Sequence, residues 1–173
     1  ANDGMVGIMV ITALFEWLKG RETHYTYVGL FCPEHIGTVF YLSDKMDSDL
    51  SEIKLGVFLE AFGGDGQYAL QQSFLGDHIH DRAFKLLLQQ RAGDIRIGEF
   101  GTILGNDESV WEAPGIEVPT VSLSRFPYRE YHTSEDTLES IDLRNLEEML
   151  SVLVEFVNIL EKDVTVHRKF KGL

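Results

Sequence analysis

Cysteine is nearly absent from this chain of 173 residues, and Cys32 is the only one. A single thiol cannot form an internal disulfide, nor can it supply the set of thiolates that holds a structural zinc ion. Cys32 ends an apolar run, so we interpret it as a buried, inert thiol. The opening residues, Ala-Asn-Asp, lack the basic start of a secretory signal. Together these features predict a protein of the reducing cytoplasm.

Positive charge is also scarce, because 15 lysines and arginines stand against 28 acidic residues and give a net charge of −13. Phosphate backbones repel such a surface, so we expect no nucleic-acid partner. Long apolar runs are lacking as well. The nearest, "GMVGIMVITALFEWLKG", contains Glu16 and Lys19 and is typical of a buried helix rather than a membrane span. We therefore expect no membrane partner either.

What is present is the composition of a soluble globular protein, with 44% hydrophobic and 25% charged residues. The length predicts one domain over residues 1–173. Hydrophobic periodicity and turn residues predict helices over 4–19, 36–46, 77–91 and 134–163, and strands over 24–32, 53–63, 68–74, 95–100 and 116–124. This alternation favours an α/β fold with three layers, α/β/α, around a mostly parallel mixed sheet.

Acidic and imidazole side chains fall where such a fold places its sites, in the loops at the carboxyl ends of strands. Asp3 precedes the first helix, Glu34 and His35 follow one apolar run, and Glu60 stands in another. His132 lies in "EYHTSEDT", just before the terminal helix. Carboxylates and a histidine that converge at one sheet edge can hold a zinc ion.

Each of these residues has a structural alternative when it is considered alone. Asp3 is suited to cap a helix, Glu34 to be a solvated loop carboxylate, and His132 to be a polar loop residue. Glu60 is harder to explain in this way, because an unpaired charge in a buried strand is costly. A structural ion pair is its alternative.

Five segments occur in an order that is informative about the family. They are "ANDGMVGIMVITALFEWL", "PEHIGTVFYL", "GVFLEAFGG", "GNDESVWEAPGIEVPTVSL" and "SRFPYREYHTSEDTL". Together they span nearly the whole chain. The sequence resembles the co-catalytic zinc aminopeptidases, a family that includes bacterial leucyl aminopeptidases, glutamate carboxypeptidase and the glutaminyl cyclases. Its segments are most similar to those of a bacterial aminopeptidase-like branch. The resemblance implies a zinc exopeptidase-like fold.

The resemblance also implies a ligand set for one or two zinc ions. Asp3 corresponds to the bridging ligand, Glu60 to the carboxylate of the second metal and His132 to the final imidazole ligand. Glu34 has two alignments with the family's glutamate pair. In one it is a metal ligand; in the other it is the general base and His35 replaces the ligand. The sequence leaves both open.

Further residues are implied to orient the site or bind substrate: His35, Asp107, Arg125, Tyr131 and Asp136. Asp136 is placed either to cap the terminal helix or to orient the site. For Arg125 and Tyr131, packing within the loop is an equal alternative. The family's first histidine ligand precedes the bridging aspartate. We therefore expect this chain to be the C-terminal part of a longer domain, with zinc occupancy in doubt without that histidine.

The implied function is hydrolysis of an N-terminal peptide or related amide bond, with a peptide or an aminoacyl small molecule as substrate. The alternative is an inactive peptidase-fold domain that acts as a binding or assembly module, and homo-oligomerisation is open. A broad apolar stripe on the terminal helix would suit a partner, although core packing explains it more simply. The stripe consists of Met149, Leu150, Leu153, Val154, Val157 and Leu160.

Overall fold

A computed structural model describes residues 1–45, 50–164 and 167–171 of the chain. Its helices are α1 (Met5–Leu18), α2 (Ile36–Lys45), α3 (Ile79–Ala92), α4 (Glu108–Trp111) and α5 (Leu143–Lys162). Its strands are β1 (Gly56–Leu59), β2 (Gln67–Gln71), β3 (Arg96–Gly98) and β4 (Thr120–Phe126). Most predicted elements are confirmed with shifted ends; the predicted end of the second helix, Met46, lies outside the described residues.

The four strands form one mixed sheet in the order β1-β4-β2-β3. β1 pairs with β4 and β2 pairs with β3 in parallel, whereas β2 and β4 run antiparallel. Helices α1, α3 and α5 pack together beside the sheet, and α2 packs with α4, which contacts β1 and β4. The three-layer α/β/α architecture with a mostly parallel mixed sheet is therefore confirmed.

The apolar face of α5 forms a large part of the core. Its buried residues are Leu146, Met149, Val152, Leu153, Phe156, Val157 and Leu160. The ring of Phe156 lies 4.1 Å from that of Phe84 on α3, measured between centroids. Packing on α1, α3 and the sheet thus accounts for the predicted apolar stripe of this helix apart from Val154, which is only partly buried.

Gly7 allows α1 to approach the end of β1 closely. A Cβ atom at this position would lie 2.5 Å from the carbonyl oxygen of Leu59, which is shorter than a van der Waals contact. Only glycine lets the helix pack at this distance. The contact places the start of α1, and with it Asp3, beside the carboxyl end of β1, where Glu60 follows.

The predicted strand over 24–32 is wrong, because these residues have no regular secondary structure. Some of the polar groups of this segment instead donate hydrogen bonds to one carboxylate. Glu161, near the end of α5, accepts hydrogen bonds from the backbone N–H of His24 at 2.6 Å and from the hydroxyl of Tyr27, also at 2.6 Å. Periodicity reports which side chains are apolar, but a strand also requires a neighbouring strand to pair with.

The terminal helix begins later than predicted, at Leu143 rather than near Ser134. Asp142 is its N-cap and accepts a hydrogen bond from the backbone N–H of Arg144 at 2.9 Å. Residues 134–142 form a loop with a short 3-10 turn at Leu138–Ser140. The loop that carries the predicted site residues is therefore longer than the sequence suggested.

Across the described ranges, no helix combines the length and the apolarity needed to cross a bilayer.

Candidate active site at the carboxyl edge of the sheet

Asp3 and His132 are neighbours although they come from opposite ends of the chain. Nε2 of His132 lies 3.5 Å from Oδ2 of Asp3. His132 has a positive φ of 55°, which non-glycine residues adopt rarely and mostly where the surroundings enforce it. The ring of Tyr131 stacks on the imidazole, with 3.8 Å between centroids. The loop after β4 thus presents an imidazole beside the carboxylate that precedes α1.

Asp136 fastens this loop to the start of the chain. Its carboxylate accepts hydrogen bonds from the backbone N–H of Asn2 at 2.7 Å and of Asp3 at 3.3 Å. The side chain of Asn2 in turn accepts from the backbone N–H of Gly63, in the loop after β1, at 2.7 Å. Asp136 does not cap α5; it orients the backbone that carries Asp3.

Glu60 directly follows β1 rather than standing inside it, and it is only 3% exposed. Its Oε2 accepts a hydrogen bond from Nδ2 of Asn106 at 3.1 Å, whereas its Oε1 is buried with no hydrogen-bond partner among the described residues. Burial raises the pKa of Glu60 to about 8, against the opposing hydrogen bond from Asn106 and with the nearby charges of Glu108, Asp3 and Glu34 adding to the increase. The described part of the chain therefore leaves one oxygen of this carboxyl group unsatisfied.

Glu34 is exposed in the turn before α2, and Asp107 holds that turn. The buried carboxylate of Asp107 accepts hydrogen bonds from the backbone N–H of His35 and, at 2.6 Å, from the hydroxyl of Thr38. His35 itself has a positive φ of 53°. These contacts fix the backbone beside Glu34, so the direction in which its side chain leaves the turn is constrained.

Tyr131 shows that the acidic side chains share one electrostatic environment. Burial raises the pKa of its hydroxyl, and the charges of Glu60, Asp3 and Glu34 raise it further. Two of these residues, Asp3 and Glu34, also raise the pKa of the third, Glu60. The structure therefore brings Asp3, Glu34, Glu60, Tyr131 and His132 to one edge of the sheet.

Arg125 lies elsewhere. Its guanidinium donates to Oε2 of Glu148 at 3.0 Å and to the carbonyl of Gly66 at 3.0 Å. It also lies over the ring of Tyr68, 4.0 Å from the centroid. Glu148 lies on α5, and Arg125, Tyr68 and Glu148 line a separate cavity of about 500 Å³. Substrate binding by Arg125 stays a prediction, and the guanidinium already has structural partners.

Sequence reasoning missed Asn106, which is 9% exposed and contacts Glu60 directly. It also gave no role to Gln71, whose side-chain amide donates to Oε1 of Glu108 at 2.9 Å. The run Asn106-Asp107-Glu108 between β3 and α4 was the available signal. The sequence shows three consecutive polar residues, but only the fold shows that all three are buried and hydrogen-bonded and that Asn106 contacts Glu60.

The donor set of this edge fits zinc chemically, with carboxylates and one imidazole. Glu60 contributes the observation that favours a cation, because a positive charge beside its free Oε1 would offset the cost of ionising a buried carboxyl group. Among the residues that the structure describes, no three histidine, cysteine or acidic side chains stand close enough together to hold a metal ion as they are. Roles as ligand or base for individual residues stay predictions.

Comparison with known proteins places this geometry in context. A curated protein of Clostridium acetobutylicum is 30% identical over 166 residues, which cover 95% of this chain and 38% of the relative. It is provisionally named a polysaccharide biosynthesis protein with an aminopeptidase-like domain. The chain thus spans 38% of the length of the curated relative that it matches.

Several solved structures share the fold, and two of them are compared with this chain. A provisionally assigned peptidase from Clostridium acetobutylicum matches with a TM-score of 0.87 and 29% identity, over 93% of this chain and 38% of that one. A zinc aminopeptidase from Bacillus subtilis matches with a TM-score of 0.69 and 16% identity, over 98% of this chain and 43% of that one. The second likeness concerns the fold alone. The inferred resemblance to zinc aminopeptidases is therefore confirmed.

A family model described as "Domain of unknown function (DUF4910)" matches residues 1–163. By this match, and with a fold shared with zinc aminopeptidases, the chain belongs to the DUF4910 family.

Proposed function

We propose that this domain is the zinc-dependent part of an aminopeptidase-like hydrolase that cleaves N-terminal peptide or related amide bonds. One observation carries the proposal. Glu60 is buried next to other carboxylates and keeps an oxygen without a partner in the described chain, at the sheet edge where Asp3 and His132 meet. Buried carboxyl groups are normally paired, and perturbed pKa values concentrate at functional sites.

The residues have distinct roles in this proposal. Asp3, Glu60 and His132 would hold zinc, which supplies a Lewis acid that polarises the scissile carbonyl. Glu34 would accept a proton from the attacking water and deliver it to the leaving amine. Asp107 would keep the Glu34 turn in place through its hydrogen bonds to His35 and Thr38.

The substrate class follows from the charge of the site. With one zinc ion bound, the three carboxylates of Asp3, Glu34 and Glu60 still leave a net negative charge at this edge, so a substrate with a free α-ammonium group would be attracted to it. A peptide or an aminoacyl small molecule has such a group. We place the reaction in the cytoplasm, because Cys32 is the only cysteine.

The test is hydrolysis of aminoacyl p-nitroanilides by the zinc-loaded protein. An N-acetyl amino sugar is tested as a second kind of amide substrate, because the curated relative is named for polysaccharide biosynthesis. We expect release of p-nitroaniline from substrates with a free amino group. Glu34→Gln should lower kcat by about 10²- to 10⁴-fold, the usual contribution of a general base. Zinc affinity should change little.

A matched control is Glu52→Gln, which removes another exposed carboxylate in the short turn Leu50–Glu52. It should leave turnover unchanged. A protein that binds zinc stoichiometrically but hydrolyses none of these substrates would contradict the enzyme proposal. If Glu34→Gln instead abolished zinc binding, Glu34 would be a ligand rather than the base.

A second candidate is a peptidase-fold domain that binds a partner without catalysis. The observation in its favour is a set of exposed apolar side chains on α1 and α2: Met5, Ile8, Met9, Ile36, Val39 and Phe40. Sedimentation at increasing concentration tests it. Self-association that Phe40→Ser weakens, together with absent hydrolysis, would favour assembly, whereas a monomer at high concentration would count against a homo-oligomeric module.

A further inference from the structure

A buried polar network contacts Glu60 through the side chain of Asn106. It consists of Gln71 at the end of β2, Asn106 before α4, and Glu108 in the first turn of α4. Gln71 and Glu108 are each 1% exposed, and Asn106 is 9% exposed. Most polar atoms of the network are paired, although Oε2 of Glu108 is buried without a partner among the described residues. The arrangement of the bonds that are made shows what the network fixes.

The side-chain amide of Asn106 has one allowed orientation. Its Oδ1 accepts a hydrogen bond from the backbone N–H of Asp107 at 2.9 Å. Nδ2 must therefore point the other way, where it donates to Oε2 of Glu60 at 3.1 Å. Because Oε2 is occupied, Oε1 is the oxygen of Glu60 that stays free of partners within the described ranges.

Glu108 fixes the backbone of Asn106. Its Oε1 accepts hydrogen bonds from the backbone N–H of Asn106 and from Nε2 of Gln71, both at 2.9 Å. The carbonyl oxygen of the Gln71 side chain accepts from the backbone N–H of Ile103 at 2.9 Å and of Leu104 at 3.2 Å. The network is thereby anchored to β2 and to the loop before α4.

We propose that Asn106 is a positioning residue that presents Oε1 of Glu60 as the single coordinating oxygen, and that Glu108 and Gln71 hold Asn106 in the required orientation. This inference rests on the proposed function. Its physical basis is that a hydrogen bond to one carboxylate oxygen fixes the rotation of the whole group, so the other oxygen points in one direction. Loss of such an orienting partner lowers metal affinity about 10- to 100-fold in known metal sites.

The experiment measures zinc affinity by competition with a chromophoric chelator for the wild type and three variants. Asn106→Ser removes the donor to Glu60, and we expect zinc affinity to fall about 10- to 100-fold. Glu108→Ala removes the acceptor that holds Asn106, and affinity should fall in the same direction. Glu108→Gln keeps an oxygen acceptor without the charge, and zinc affinity should be retained.

The control is Asn158→Ser, the same substitution at an exposed position on α5, which should not change zinc affinity. Thermal melts of the zinc-free proteins identify variants that do not fold. If Asn106→Ser does not fold, the positioning role is tested by the zinc affinities of Glu108→Ala and Glu108→Gln.

Two failures are distinguishable. A wild-type protein that does not bind zinc would contradict the proposed function. A wild type that binds zinc while folded Asn106→Ser, or Glu108→Ala in its place, binds with equal affinity would overturn the positioning role alone.

Discussion

Nε2 of His132 lies 3.5 Å from Oδ2 of Asp3, and this contact joins the loop after β4 to the segment before α1. Both side chains are partly exposed, with 66% of His132 and 37% of Asp3 accessible. An exposed polar contact of this kind contributes little to stability, so it is better explained by the backbone around it than by its own energy. Asp136 and the stacked ring of Tyr131 hold that backbone.

His132→Ala should remove most zinc binding, because the imidazole is the only nitrogen donor that we assign to the site. We expect affinity to fall by at least about 100-fold, the upper end of the loss seen when an outer-shell partner is removed. Chelator competition measures it. His24→Ala, at another exposed histidine, should bind zinc like the wild type. Unchanged binding in His132→Ala would remove this residue from the site.

Glu60 should make the zinc-free protein less stable as the pH rises. Its pKa is about 8 in the folded state, whereas an ordinary glutamate has a pKa of 4.5. Between these values the folded state keeps a proton that the unfolded state has lost, so the free energy of unfolding decreases with pH. The slope for one group is at most about 1.4 kcal/mol per pH unit.

Urea unfolding between pH 5 and pH 8 in the presence of a chelator, for the wild type and Glu60→Gln, measures this effect. The glutamine side chain cannot ionise, so the free energy of unfolding of Glu60→Gln should increase relative to that of the wild type as the pH increases. Parallel pH profiles would show that Glu60 titrates normally.

His80 should destabilise the protein in acid. The side chain is fully buried on α3, and neither ring nitrogen makes a well-formed hydrogen bond in the described part of the chain, although the backbone of Pro119 is close enough to favour the protonated ring. Burial lowers its pKa from 6.5 to about 4, with the charge of Asp81 opposing the shift and His78 adding to it. The unfolded state therefore binds a proton below pH 6.5 that the folded state does not, and stability is lost as the pH falls towards 4.

His80→Leu should reduce the loss of stability between pH 6.5 and pH 4, because leucine cannot take up the proton. At pH 7 we expect no large loss, since an apolar side chain replaces an unpaired polar ring. His24→Leu, at an exposed position, is the control and should follow the wild-type profile. An acid profile of His80→Leu that coincides with the wild type would contradict the prediction.

Gly7→Ala should weaken the contact between α1 and β1. The added methyl group would lie 2.5 Å from the carbonyl oxygen of Leu59, so the helix must move away from the strand. Overpacking of this kind costs about 1–3 kcal/mol. Thermal and urea unfolding measure it. Gly105→Ala is the control, because its added methyl group would meet no atom of the described residues within 4 Å and its φ is not positive. Equal stability of Gly7→Ala and the wild type would show that the helix approach is not constrained.

Much of the fold followed from local pattern. The long apolar run before Lys19 and the amphipathic run at 77–91 became α1 and α3 with only small shifts at their ends. Long periodic segments are reliable because their burial pattern matches one period of the helix. The strand predicted over 24–32 was wrong, because an apolar, β-rich run becomes a strand only if another strand pairs with it.

The candidate site was predictable in type but not in detail. Residue chemistry made Asp3, Glu34, Glu60 and His132 candidates, and the resemblance to the zinc aminopeptidases implied their roles, which stay predictions. Asn106 was missed, because the run Asn106-Asp107-Glu108 marks a polar segment but does not show that Asn106 is the residue that contacts Glu60. Asp136 was expected to cap the helix or to orient the site, and the second alternative agrees with its contacts to Asn2 and Asp3.

By itself the sequence determined an acidic, cysteine-poor α/β domain, because composition and periodicity act over short distances along the chain. Only the tertiary structure decided which oxygen of Glu60 is free within the described ranges, and that Asp3 lies beside His132. Both depend on close packing between distant segments, such as Gly7 against Leu59. Contacts between distant segments are set by the complete fold, because the free energy that holds them comes from burial of the whole core.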